Sequence, residues 1–185
     1  AYRQPVYNQR WRAAGTLPPG RHLSAAALSA DGRLLAAGDL GGGVLVFDLK
    51  TKKAVAEVRR KWAANVASYR RVAEQVAFAA GGAWVLTRAN GRLFAHPLGQ
   101  GTEWKSGPAV GAVNDFAVHP SGRFACAACA DGRARYLDPR TGAVTAAVKW
   151  AKRPKPLHSV AFAPDGLTCA AGTAGGKVFV WDVDA

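Results

Sequence analysis

The sequence predicts an all-β fold built from four repeated units, and three observations support this. Glycine turns recur at Gly32, Gly82, Gly122 and Gly166, which are 50, 40 and 44 residues apart. A short apolar run precedes each turn and another follows it, which is the pattern of antiparallel strands. Each unit then has a second glycine turn and a third apolar run. Such short strands, repeated at this period, are typical of the blades of a β-propeller.

Within each unit the predicted strands follow in the same order. First strands are predicted at residues 23–28, 75–78, 113–118 and 157–162. Third strands are predicted at 44–48, 93–96, 134–138 and 178–182, and fourth strands at 54–58, 102–105 and 143–148. A lone sheet of four strands cannot bury both of its faces, so neighbouring blades are expected to stack and share a core.

The fourth unit carries a family resemblance. Residues 160–166 read Val-Ala-Phe-Ala-Pro-Asp-Gly and residues 178–182 read Val-Phe-Val-Trp-Asp. These two segments resemble the first and third strands of WD repeats. Units 1 and 3 are also similar to this pattern, and unit 2 is so only loosely. The resemblance implies a WD-repeat propeller of four blades over residues 11–185, with repeats at about 18–59, 72–105, 112–149 and 156–185.

The resemblance also shows departures from the family pattern. In the family, a histidine before the first strand joins a buried hydrogen-bonded network with Ser or Thr, Asp and Trp. Here only Trp181 fills the Trp position, His96 takes that position in unit 2, and only Asp131 fits the acidic turn position. We therefore expect apolar packing between blades to stabilise the fold more than buried polar links.

Residues 11–17 are predicted as a further strand. In the family, the N-terminal segment commonly completes the last blade, and this pairing would bring the total to sixteen strands. That count permits a closed ring of four blades. The sequence favours a part of a larger propeller, or a chain that pairs with another, because rings in the family usually hold more blades.

Charge is the most informative feature of the composition. The chain has 25 Lys and Arg against 12 Asp and Glu, a net charge of +13. Such an excess favours a polyanionic neighbour, either RNA or an acidic protein surface. Half of the acidic residues lie in the predicted turns, whereas the basic ones cluster with aromatic residues elsewhere. The candidate partner-binding residues are Arg3, Arg10 and Arg12 near the N-terminal arm (residues 1–10); Arg59, Arg60, Lys61, Trp62, Tyr69, Arg70 and Arg71; and Lys149, Trp150, Lys152, Arg153 and Lys155.

The second and third clusters lie in connections between successive blades. These connections share one propeller face with the turns that hold Arg88, Arg92, Arg133 and Lys177, which predicts a positive rim. Cations interleaved with Trp and Tyr suit phosphate contact and base stacking. In the alternative interpretation, Trp62 and Trp150 cover the edges of the blades, and the basic side chains contact only solvent. Residues 60–73 are predicted either as a short basic helix or as an irregular loop whose aromatic side chains fold back.

No pattern of an enzyme is found. The glycines form no phosphate-binding loop, the carboxylates are single, and no nucleophile sits in a strained elbow. No polar residue recurs at a position that would face the central channel of a propeller, where propeller enzymes gather their site residues. Cys126 and Cys129 are predicted to belong to a strand and not to a metal site, because further ligands are lacking nearby. We expect a non-catalytic chain without cofactor or metal. No stretch reaches the roughly 20 apolar residues of a membrane-spanning helix, and free cysteines suit an intracellular, reducing compartment, either cytoplasmic or organellar.

Two functions follow from these observations. The first is a scaffold in a large multi-protein assembly, which docks protein subunits through the basic rim and the N-terminal arm. The second is an RNA-contacting structural subunit of a ribonucleoprotein particle. The family resemblance favours the scaffold, whereas the charge favours RNA. A basic rim against anionic lipid headgroups is a third, weaker alternative.

Overall fold

The computed structural model describes Pro19 and residues 21–183. These residues form fifteen strands in four antiparallel sheets, three with four strands and the last with three. The strands are β1 (Leu23–Leu28), β2 (Leu34–Asp39), β3 (Val44–Asp48), β4 (Lys53–Val58), β5 (Gln75–Ala79), β6 (Trp84–Ala89), β7 (Arg92–Pro97), β8 (Trp104–Lys105), β9 (Val113–Val118), β10 (Ala125–Cys129), β11 (Ala134–Leu137), β12 (Val144–Val148), β13 (Leu157–Phe162), β14 (Thr168–Thr173) and β15 (Val178–Asp182). No helix in this part of the chain is long and apolar enough to span a membrane.

Each sheet is a simple meander in which every strand pairs with the next along the chain. The first and third strands lie where the sequence predicts them, to within one residue at either end. The fourth strand of the second sheet is shorter than the predicted 102–105, because only Trp104 and Lys105 pair with β7. The strand predicted at residues 11–17 and the N-terminal arm lie outside the described residues.

The four sheets are arranged around their first strands. β1 contacts β5, β5 contacts β9, and β9 contacts β13, so each sheet packs face to face on the next. Within the described residues this succession does not close into a ring. The sheets are therefore successive blades of a propeller, as the sequence predicts, in an open arrangement.

Small side chains allow the blades to pack closely. All five residues of β10 are buried. Cys126 and Ala128 face the core shared with the fourth blade, whereas Ala127 and Cys129 face the core shared with the second. Because alternate residues of a strand point to opposite faces, the two cysteines lie on opposite sides of the sheet. This geometry agrees with the interpretation of this segment as a strand.

Polar side chains also join the blades, and the sequence did not predict these links. On the innermost strands, Gln75 Nε2 donates a hydrogen bond to Phe116 O at 2.7 Å, and Asn114 Nδ2 donates one to Leu157 O at 2.7 Å. Asp115 Oδ2 accepts the Val160 N–H at 2.8 Å. These three polar residues lie on the first strands of the second and third blades. They satisfy the backbone of the next blade, so the junctions combine apolar packing with polar links.

The connections between blades pack onto glycine turns. Gly42 and Gly132 close the turns between second and third strands with φ of 78° and 76°. A Cβ on Gly42 would lie 2.2 Å from Arg71 O, and one on Gly132 would lie 2.5 Å from Lys155 O. At these two positions glycine is required both by the left-handed backbone and by the close approach of the connection.

We expect Gly132→Ala to lower the free energy of unfolding by roughly 1–3 kcal/mol more than Gly176→Ala. Both glycines have a left-handed φ, 76° and 74°, so the backbone strain is common to both variants. The space around Gly176 is open, whereas a methyl group on Gly132 collides with the connection. Urea denaturation measures the difference. Equal stabilities of the two variants would show that the connection moves aside without cost.

Candidate interaction surface

The connection between the first and second blades is held inward by two of its predicted binding residues. Arg60 Nε donates a hydrogen bond to Gly42 O at 3.0 Å, and its guanidinium lies 3.4 Å from the centroid of the Phe94 ring. Trp62 Nε1 donates to Gly41 O at 2.7 Å, and its ring meets Phe94 edge to face. Arg60 and Trp62 therefore fasten the connection to both blades.

Arg60 also belongs to a polar chain that runs from its partly buried guanidinium through the buried His96 to the exposed Glu103. The Arg60 guanidinium is 3.0 Å from His96 Nε2, and His96 Nδ1 is 2.6 Å from Glu103 Oε1. Because a guanidinium can only donate, Nε2 accepts and the Nδ1–H donates to the carboxylate, which makes His96 a neutral imidazole. Burial and then the charge of Arg60 lower the pKa of His96 to about 3, and burial lowers the pKa of Arg60 to about 10. Arg60 thus stays charged at neutral pH while His96 is uncharged.

The rest of this cluster divides between internal and exposed positions. Arg71 donates two hydrogen bonds to Val66 O, at 2.9 and 2.7 Å. Arg59 is exposed and bonds to Glu57 at 2.9 Å. The remaining members, Lys61, Tyr69 and Arg70, face solvent. Residues 60–73 form an irregular loop with one short 3-10 turn at Ser68–Arg70. Of its two aromatic side chains, Trp62 folds back as that alternative expects and Tyr69 does not.

The connection between the third and fourth blades presents its cations differently. Trp150 stacks on Phe179 with the ring centroids 4.9 Å apart and the planes at 5°, and it lies 4.7 Å from Trp181. The four basic residues around it are all exposed: Lys149, Lys152, Arg153 and Lys155. In the described part of the chain, none of them forms an ion pair. Trp150 covers the blade edge while the charges remain available.

Arg60 and Trp150 occupy equivalent positions. Each is the second residue after a fourth strand, β4 or β12, and each lies over a phenylalanine on the third strand of the next blade. At the first junction a guanidinium thus covers the phenylalanine ring, and at the last junction an indole covers it. The consequence is that the cations of the last connection stay at the surface.

The turn residues expected to extend the rim are mostly engaged. Arg88 pairs with Glu74, Arg92 donates to Ser106 O at 3.2 Å, and Arg133 lies 4.0 Å from Asp131. Lys177 is exposed and lies beside the last connection. We define the basic rim as the exposed cations Arg59, Lys61, Arg70, Lys149, Lys152, Arg153, Lys155 and Lys177. The predicted residues Arg3, Arg10 and Arg12 lie outside the described residues.

A pocket of about 270 Å³ opens in this rim between the third and fourth blades. Trp150, Pro154, Leu157 and Phe179 form its apolar walls. Arg153, Lys155 and Lys177 contribute the charged groups of its lining. The three cations were predicted from the sequence but the pocket was not, because its lining comes from three separate segments of the chain.

Comparisons with known proteins agree with this architecture. The sequence profile of the WD40 family (WD domain, G-beta repeat) matches residues 105–138 and 152–182. No curated protein sequence matches the chain. The structure is similar to the β-propeller domain of Myceliophteria thermophila Cps50 (Swd1), with a TM-score of 0.66 and 14% identity over 89% of this chain and 52% of that one. It is also similar to a chain of a mitotic checkpoint complex, with a TM-score of 0.65 and 14% identity over 90% and 51% of the two chains.

The fold and these similarities define the class of protein as a β-propeller. The profile matches fall on the third and fourth blades, where the WD pattern of the sequence is clearest. The WD-repeat pattern is thus found over residues 105–138 and 152–182, within a chain that has the fold of a β-propeller. It spans about half the length of the two propeller chains that it resembles.

We expect the buried His96 to make the stability depend on pH. Its pKa falls from about 6.5 in the unfolded chain to about 3 in the fold. The native state excludes the proton, so the stabilisation is present above pH 6.5 and is lost as the pH falls toward 3. Between pH 7 and pH 4.5, the free energy of unfolding should fall by about 1–3 kcal/mol more in the native chain than in His96→Gln.

Urea denaturation at the two pH values measures this difference. The matched control is His158→Gln, since His158 is exposed on β13. The control should keep the pH dependence of the native chain. The same pH dependence in His96→Gln would contradict the buried, neutral state of His96.

Proposed function

We propose that the chain is a non-catalytic scaffold subunit of a multi-protein assembly, which docks protein partners through the basic rim and the N-terminal arm. One observation carries the proposal above all. Lys149, Lys152, Arg153 and Lys155 are exposed together on one connection without an acidic partner in the described residues. A cluster of cations without counter-charges favours an acidic partner surface, since complementary charge steers association and fixes register.

The comparisons support the same class of function. WD-repeat propellers generally serve as non-catalytic scaffolds, and one similar chain is part of a mitotic checkpoint complex. The buried histidines have structural contacts: His119 Nδ1 lies 2.7 Å from Ser121 Oγ in a turn, and His96 belongs to the chain with Arg60. The three cysteines are free and buried, which suits the intracellular, reducing compartment that we propose for the chain.

RNA contact is a second candidate, favoured by the same unpaired cations. Phosphate oxygens would bind them as readily as carboxylates do. Base stacking has less support, because the indole rings of Trp62 and Trp150 already pack against Phe94 and Phe179. Tyr69, 76% exposed beside Arg70, remains open to a base. The scaffold is therefore the function that we favour, and phosphate contact is the competing explanation of the charge.

The scaffold proposal predicts that reversing the cations of the last connection releases the chain from its assembly. The variant carries Lys152→Glu, Arg153→Glu and Lys155→Glu. The matched control carries Lys50→Glu, Lys52→Glu and Lys53→Glu. It makes the same change in net charge, but in the turn before β4, at the end of this strand that is away from the connection. In sedimentation of a native extract, the rim variant should move to the light fractions, whereas the control should stay in the heavy ones. Release of both variants alike, or a native chain that sediments alone, would contradict docking through the rim.

Ribonuclease treatment separates the two functions. At moderate salt, a scaffold should remain in heavy fractions after the digestion, because protein contacts hold it. If RNA contact holds the chain, digestion should move it to the light fractions. Its binding should then also fall steeply with rising salt, since each phosphate contact releases counterions.

A further inference from the structure

The pocket between the third and fourth blades has the chemistry of a peptide-binding site. We propose that it binds one apolar side chain of a short acidic segment in a partner protein, while the flanking carboxylates pair with Arg153, Lys155 and Lys177. This inference rests on the proposed scaffold function and specifies the chemistry of one docking segment. It takes its support from the walls, the charge and the size of the pocket.

The walls require an apolar occupant. The rings of Trp150 and Phe179, together with Pro154 and Leu157, form the apolar walls of the pocket. Thr173, the hydroxyl-bearing residue of the lining, exchanges two hydrogen bonds of 3.1 Å with the backbone of Lys177. Few polar groups thus remain for an occupant inside the pocket, and burying unpaired polar atoms costs free energy.

The volume indicates a side chain rather than a whole small molecule. Sites for drug-sized ligands usually enclose about 300–1,000 Å³, and this pocket has about 270 Å³. A nucleobase would fit by size, but its polar edges need hydrogen-bond partners when they are buried. An aliphatic or aromatic side chain meets the walls without that cost, which favours a peptide over RNA at this site.

The charge around the pocket selects an acidic sequence. Arg153, Lys155 and Lys177 are exposed and line the pocket, and no acidic residue lines it. The nearest turn does contain Asp131, but both of its carboxylate oxygens accept hydrogen bonds from Arg135, at 2.8 and 2.6 Å. The cations therefore lack a counter-charge within the described residues, and a segment with Asp or Glu on both sides of the apolar residue would provide one.

Fluorescence anisotropy with the purified full chain tests the proposal. The probe is a labelled ten-residue peptide of Glu and Asp with one central Phe. Two control peptides replace the Phe by Ala, or replace the acids by Gln and Asn. We expect the acidic Phe peptide to bind at least about tenfold more tightly than either control peptide. Equal binding of the Phe and Ala peptides would show that no apolar side chain occupies the pocket, which would overturn the proposal. Tighter binding of a ten-nucleotide oligouridine than of the acidic Phe peptide would show that the site prefers RNA to a peptide.

A variant that fills the pocket locates the binding. At Gly175 an added Cβ meets only Lys155 Cγ at 3.6 Å and Thr173 Oγ1 at 3.8 Å, so Gly175→Leu can project into the pocket without disturbing the core. Gly99→Leu, in a turn with open space, is the matched control. We expect Gly175→Leu to weaken the Phe peptide about tenfold and Gly99→Leu to leave it unchanged. Thermal unfolding monitors that both variants fold.

Failure of this inference can be distinguished from failure of the scaffold function. Unchanged peptide binding in a folded Gly175→Leu would place the peptide elsewhere and overturn the pocket. In that case the scaffold function can still hold. It holds if the native chain sediments in a ribonuclease-resistant assembly and the rim variant is released from that assembly. If the chain sediments alone while the peptide results hold, the pocket binds acidic segments but the scaffold function is wrong.

Discussion

A blade with two apolar faces is stable only if another surface covers each face, and this constraint shapes the whole structure. At β10, in the third blade, the constraint is fully met, because this strand lies between two neighbouring blades and buries small residues toward both. The same small side chains bring the sheets close enough for Gln75 and Asn114 to reach the backbone of the next blade. At β15, where no fourth strand pairs within the described residues, Val178 and Val180 are 70% and 67% exposed. Exposed apolar surface of this kind is expected to be covered by another strand or by a partner protein.

The connections between the blades complete each junction and, in doing so, decide where charge appears. At the first junction, Arg60 turns its guanidinium onto Phe94 and into the chain with His96 and Glu103. At the last junction, Trp150 takes the equivalent position on Phe179. A partly buried cation requires polar partners, which His96 and Gly42 provide, whereas an indole needs only an apolar neighbour. The residue at this position therefore decides whether a cation is drawn inward at the junction, as Arg60 is, or stays out of it.

The sequence predicts the strands well, because their signals are local. Turn glycines and alternating apolar residues place the first and third strands to within one residue, and Cys126 and Cys129 belong to a strand, as predicted. The candidate site is less predictable. Arg60 and Lys61 are adjacent basic residues, yet the first is partly buried against the next blade and the second is exposed. Their difference depends on where β4 ends and on Phe94 and His96 from another blade, and neither appears in the local sequence.

The position of Trp150 joins stability to recognition. Its ring packs on Phe179 and Trp181 of the fourth blade, and it also forms a wall of the proposed peptide pocket. A ligand that packs on this wall contacts both blades, since Leu157 and Phe179 belong to the fourth and Trp150 follows the third. Such a ligand binds the assembled junction and not the separated blades. By mass action it therefore stabilises the packing of the two blades. Binding of a partner at the proposed pocket would thus raise the stability of the junction between the third and fourth blades.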